Sequence, residues 1–164
     1  MNKATLIIAS EKFARGGMIP ARYTCDGMNI NPPLDIENLP IKAKSLVVML
    51  EDRSVDDKDS LLWLQYNMPV KNWINEDEKK GELGLNSFNE CSYVGPCTES
   101  EVHRYLFKVY ALDDFLVFND GNVEKYDVEA GIMYHLVGYG DLEAVYGRKV
   151  KWELAKLSLL QIKR

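Results

Sequence analysis

Residues 102–112, Val102-His103-Arg104-Tyr105-Leu106-Phe107-Lys108-Val109-Tyr110-Ala111-Leu112, constrain the fold more than any other part of the chain. Read with the period of two that a strand imposes, they put His103, Tyr105, Phe107, Val109 and Ala111 on one face and Arg104, Leu106, Lys108, Tyr110 and Leu112 on the other. A titratable ring and a phenol therefore share a face. The turn Gly95-Pro96, where the backbone can approach a ligand closely, leads into this strand. Together they form a plausible floor for a small pocket that takes an anion or a polar headgroup. The alternative is a core histidine whose ring nitrogens are satisfied by ordinary hydrogen bonds.

Strand-like runs recur at residues 5–8, 45–50, 61–67, 102–112 and 141–146. Turn chemistry separates them: Gly16-Gly17, Asp26-Gly27, Pro32-Pro33, Pro40, Pro69, Gly95-Pro96 and Asp120-Gly121. The one convincing helix of the body starts after Asn122 or Asp127, either of which can cap it, and runs towards Gly138. Many strands at short spacing without regular helical crossovers predict a mainly β fold with C-terminal helices. The expected arrangement is an antiparallel Greek-key or sandwich sheet, not a doubly wound parallel one.

At 164 residues the chain fits one domain, and 46% hydrophobic with 27% charged residues suits a globular protein. The opening apolar run is far shorter than a signal-peptide core, and no stretch reaches the roughly 20 apolar residues that span a bilayer. The expected location is therefore cytoplasmic. Cys25, Cys91 and Cys97 form no CxxC pair, so reduced thiols are expected, with a Cys91–Cys97 disulfide as the lesser alternative. A metal site from Cys91, Cys97 and His103 lacks a fourth ligand and close ligand pairs. Neither a metal nor a cofactor is expected.

Charge is unevenly spread. The formal net charge is -5, yet residues 148–164 hold six basic residues against Glu153, a net of +5 that leaves -10 on the rest. An acidic body repels phosphate backbones, so nucleic acid is not an expected partner. No nucleophile elbow, zinc-protease helix, P-loop or dinucleotide fingerprint is present. With His103 as the only plausible base, the chain is read as a non-enzyme.

Several motifs carry a family resemblance. His103-Arg104-Tyr105 after a Gly-Pro turn resembles the phosphatidylethanolamine-binding proteins, also called Raf kinase inhibitor proteins. The run Ile19-Pro20-Ala21-Arg22-Tyr23-Thr24-Cys25-Asp26-Gly27, continuing through Asn29-Ile30-Asn31-Pro32-Pro33-Leu34, resembles the bacterial and archaeal YbhB/YbcL-type branch, as does Tyr146-Gly147-Arg148. The resemblance implies a large antiparallel sheet flanked by a smaller one and by late helices, with a small anion pocket at one end of the sheet. It also implies a small anionic or phosphate-bearing ligand and regulation of a kinase-like partner, with an interaction protein whose pocket has degenerated as the alternative.

The family's pocket is built from an Asp-Pro-Asp-x-Pro loop, a His on the next strand, the Gly-Pro turn and the His and Tyr of His-Arg-Tyr. By this resemblance the ligand-binding residues are His103, Tyr105, Gly95, Pro96, Glu51 and Leu62. Two of the elements depart from the pattern. The loop falls on Glu51-Asp52-Arg53-Ser54-Val55, without either proline, and the strand His falls on Leu62. One imidazole beside a leucine offers half the donors of two, which lowers the expected affinity for phosphate. Arg53 is expected to point to water. His135 is read as structural.

The domain is placed at residues 1–148. Residues 149–164 form a basic extension in which Trp152, Ala155, Leu159 and Ile162 share a helical stripe beside Leu154 and Leu157. That stripe is expected to pack on its own domain or to make a homodimer contact.

Overall fold

The computed structural model describes residues 2–99, 101–119, 121–148, 156, 157 and 159–161. Among the described residues the principal elements are β1 (Ala4–Thr5), β2 (Ile7–Ala9), β3 (Leu34–Glu37), β4 (Ser45–Asp52), β5 (Leu61–Met68), β6 (Trp73–Ile74), β7 (Glu82–Leu83), β8 (His103–Leu112), α1 (Lys125–His135) and β9 (Leu136–Tyr146). The four long strands, β4, β5, β8 and β9, are rich in apolar, β-branched and aromatic residues, unbroken over residues 46–50 and alternating with charged ones in β8. A six-stranded sheet has the order β1-β9-β8-β4-β5-β7, and a three-stranded sheet the order β2-β3-β6. All pairings are antiparallel except β1 with β9, so the larger sheet is mixed.

The large sheet is covered on both faces. Leu46, Val48, Leu50, Phe107 and Val109 pack on one side against Ile8, Leu34, Ile36 and Ile74 of the small sheet. On the other side Val47, Met49, Leu61, Leu64 and Leu112 pack against Val128 and Ile132 of α1. Each of these side chains contributes about 1.5–3 kcal/mol by leaving water, which is what binds the three layers.

Most predicted strand runs fall in strands; the first run and the helix differ, and β3, β6 and β7 lie outside the predicted runs. The run 5–8 is split: Ala4 and Thr5 pair with β9, whereas Ile7 to Ala9 pair with β3 of the other sheet. The helix begins at Lys125, with Glu124 as its cap and Asp127 in the third position, where its Oδ2 accepts the Glu124 N–H at 2.9 Å. It stops at His135, short of Gly138, because Leu136 turns to extended geometry and opens β9.

The cysteine expectation needs correction. Cys25 and Cys97 form a disulfide across a sequence separation of 72, and Cys91 is the free, exposed thiol. Spacing along the chain misses this pair because the loop after residues 21–23 and the Gly95-Pro96 turn meet only in the folded protein. The extension from residue 149 onward lies mostly outside the described residues. Among those described there, Leu157, Leu159 and Leu160 are exposed.

Candidate functional site

The site is assembled at one end of the large sheet by strand register. Pairing of β8 with β4 sets Tyr105 opposite Asp52, and pairing of β8 with β9 sets His103 opposite Tyr146 and Tyr105 opposite Ala144. Directly opposed residues point to the same face. Asp52, His103, Tyr105 and Tyr146 therefore share the face that carries Leu50 and Phe107. The rings of His103 and Tyr105 stack, with centroids 6.3 Å apart and planes 28° from parallel.

His103 is oriented by a carboxylate. Its Nδ1–H donates to Asp52 Oδ2 at 2.6 Å, while Asp52 Oδ1 accepts the Ser54 N–H at 2.9 Å. The turn thus fixes the carboxylate, the carboxylate fixes the ring, and Nε2 is left as the nitrogen for a ligand. Tyr105 is 1% exposed, and its hydroxyl has no hydrogen-bond partner among the described residues. Burial raises its pKa, and the charges of Asp52 and Tyr146 raise it further, so the hydroxyl stays protonated. A buried O–H with nothing to donate to is costly unless a ligand supplies an acceptor.

Two loops wall this end. Tyr146 donates its hydroxyl to Asp26 in a short hydrogen bond, and Arg148 clamps the same carboxylate at 3.0 Å. Tyr93 donates to the Tyr23 carbonyl at 2.7 Å, Gly95 N–H to Asn29 Oδ1 at 2.7 Å, and Cys25 N–H to the Pro96 carbonyl at 3.2 Å. Asn29 takes part from the left-handed region, at φ 58°, which Asn tolerates better than most residues. A Cβ at Gly95 would stand 2.3 Å from the Tyr23 carbonyl oxygen, so only glycine lets the loops meet this closely. Gly95 and Pro96 are both buried and hold the wall. Leu62 is 5% exposed in the same hydrophobic cluster as Tyr105, and its carbonyl accepts the Val94 N–H at 3.0 Å, which ties β5 to this turn.

Glu51 does not join the group; the acceptor expected of it is Asp52, one residue on. Glu51 pairs with Leu61 and Leu106 and points to the helix-covered face. There Lys108 Nζ lies 3.0 Å from its Oε2 and Lys125 Nζ 3.1 Å from its Oε1, the latter an ion pair whose angles fall short of a hydrogen bond. Burial pushes the carboxyl up, but the two lysines outweigh it and hold the pKa below the ordinary value. Arg53 follows Glu51 to that side, 3.0 Å from Oε2 and half exposed. The period-two pattern was silent here because all eight residues of β4 are buried. His135 stands apart, with Nδ1 2.9 Å from Asp113 Oδ1.

Asp26, Tyr93 and Tyr146 escaped sequence reasoning as wall residues. The one available signal was that Asp26 and Tyr146 lie inside the two motifs that carried the resemblance. Among the described residues no cluster of three or more His, Cys, Asp or Glu side chains could hold a metal, and no helix is long and apolar enough to cross a membrane.

Known proteins share this arrangement of chain. A family profile of phosphatidylethanolamine-binding proteins matches residues 9–147. A UPF0098 protein of Pyrococcus horikoshii is 38% identical over 151 residues, covering 85% of this chain and 76% of its own length. Another, from Archaeoglobus fulgidus, is 36% identical over 153 residues, covering 88% of this chain, which spans about half (52%) of that relative. Among solved structures, a phosphatidylethanolamine-binding protein homologue of Chlamydia trachomatis superposes with a TM-score of 0.80 at 32% identity, covering 89% of this chain and 99% of its own. On sequence and on fold alike, the chain belongs to the phosphatidylethanolamine-binding protein family.

Proposed function

We propose that this protein binds a small phosphate-bearing or otherwise anionic ligand at His103 and Tyr105, without catalysing a reaction. The observation that carries this reading is the Tyr105 hydroxyl, buried and unpartnered among the described residues beside an imidazole whose Nδ1 is already committed to Asp52. A ligand oxygen would accept from Tyr105 and from His103 Nε2 together, with Gly95 and Pro96 as wall and Leu62 as a dry neighbour. With Nδ1–H already given to Asp52, donation from Nε2 as well uses both ring N–H groups of an imidazolium. Calorimetric titration with inorganic phosphate and phosphoethanolamine tests this. Saturable binding that His103→Ala and Tyr105→Phe each weaken supports it; binding unchanged by both variants refutes it.

A second reading, an interaction protein whose ligand site has degenerated, is favoured by Leu62, a leucine where the family resemblance expects an imidazole. Regulation of a kinase-like partner rests on the family resemblance alone. A homodimer contact through residues 149–164 is supported by the exposure of Leu157, Leu159 and Leu160. Light scattering of a chain ending at Lys149 against the full chain tests it. The proposed location is the cytoplasm, where a bridge such as Cys25–Cys97 is rare because the compartment is reducing.

A further inference from the structure

We propose that the Cys25–Cys97 disulfide is a thiol-exchange site that sets the shape of the ligand site, so that its reduction loosens the wall and weakens binding. The part of this inference that concerns affinity rests on ligand binding at His103 and Tyr105; the part that concerns exchange and shape does not.

Place in the fold is the first argument. Both cysteines are exposed, so a reductant can reach the bridge without unfolding the protein. Each sits in one of the two walling loops. Cys25 is next to Asp26, which accepts from Tyr146, and Tyr146 stands opposite His103 in the sheet. Cys97 follows the Gly95-Pro96 wall and precedes Thr98, whose hydroxyl is buried and, like that of Tyr105, has no partner among the described residues. Among the described residues, hydrogen bonds from Tyr93, Gly95 and Cys25, individually modest, also join the loops. The bridge is the only covalent tie among the described residues.

Chemistry gives the exchange a direction. Arg148 Nη2 lies 4.0 Å from Cys25 Sγ and shares its charge with Asp26. A thiolate leaves faster where a cation stabilises it, so Cys25 is the preferred leaving group and Cys97 the sulfur attacked. The thiolate of a dithiol reductant bonds to Cys97 Sγ as the Cys25–Cys97 bond breaks, and Cys25 departs with the electron pair. The second thiol of the reductant then attacks the mixed disulfide and releases Cys97. The reductant ends as a disulfide, and its two protons end on Cys25 and Cys97.

The test uses the full chain with Cys91→Ser, which removes the free thiol, compared oxidised and reduced with a small dithiol. The readouts are the His103 ring resonances without ligand, and titration with inorganic phosphate and with phosphoethanolamine. Reduction is expected to displace the His103 resonances, and a reduced site that is binding-competent about one fifth of the time raises Kd about fivefold. A monothiol reagent should trap its mixed disulfide on Cys97. Unchanged resonances with equal affinity in both forms overturn the inference while leaving ligand binding intact. Displaced resonances with no binding in either form leave the exchange and shape intact and remove the ligand reading. Collapse of the far-ultraviolet circular dichroism on reduction, in Cys91→Ser or in a Cys25→Ser/Cys97→Ser variant, also overturns it, because the bridge would then be a staple of the fold.

Discussion

Replacing Tyr105 by Phe separates what the site costs the fold from what it gives to binding. The ring of Tyr105 is 1% exposed and packs in the main cluster, so Phe keeps nearly all of its burial. Only the hydroxyl is lost, and that hydroxyl has no partner among the described residues. A buried polar group left unsatisfied costs about 1–3 kcal/mol, so Tyr105→Phe is expected to stabilise the ligand-free protein by about that much. For a chain of this size the gain corresponds to a Tm higher by about 2–12 °C. The same change removes a donor to a charged ligand, worth about 1.5–3 kcal/mol, or about tenfold to a hundredfold in Kd. Thermal and urea unfolding without ligand, followed by phosphate titration, measure both sides. A variant less stable than the parent would show that the hydroxyl is satisfied in the folded protein, and the argument for a ligand oxygen would fail with it.

Other perturbations probe the surroundings. Glu51 has a lowered pKa in the folded protein, so its contribution is fully present above about pH 4.5, the ordinary value, and is lost as pH falls through the folded one. Glu51→Gln should flatten that acid slope in urea melts while lowering stability at neutral pH, towards the low end of the ~3–5 kcal/mol typical of a broken buried pair. Leu62→His places a donor in a dry wall and should tighten phosphate binding; unchanged or weaker binding would show a site shaped for a less charged ligand. Gly95→Ala would force a Cβ to 2.3 Å from a backbone oxygen. Its expected cost is about 1–3 kcal/mol, with weaker binding, and a neutral result in both melts and titrations would show that the loop contact is loose.

Much of this was legible in the sequence. The alternation of residues 102–112 placed His103 and Tyr105 on one face, and the ring stacking follows from it. What stayed hidden depended on contacts distant in sequence. In β4 both faces are apolar, so no periodicity told Glu51 from Asp52; only the pairing of Asp52 with Tyr105 does so. The register of β4 against β5 shifts where Leu50 pairs with Trp63 and Glu51 with Leu61, so the extra residue, Leu62, lies on β5. The disulfide was invisible for the same kind of reason, since 72 residues separate two cysteines that meet only after two loops fold together. The short strands β3, β6 and β7 carry too few residues to show a period. The split of residues 4–9 between two sheets follows from packing on both layers, not from propensity.

A crystal structure of the protein grown with phosphoethanolamine tests the central claim most directly. The account predicts a phosphate oxygen within hydrogen-bond reach, about 2.6–3.2 Å, of both the Tyr105 hydroxyl and His103 Nε2, with the Asp52 bond to Nδ1 retained. A ligand bound elsewhere, or a Tyr105 hydroxyl still without a partner at saturating ligand, would contradict it.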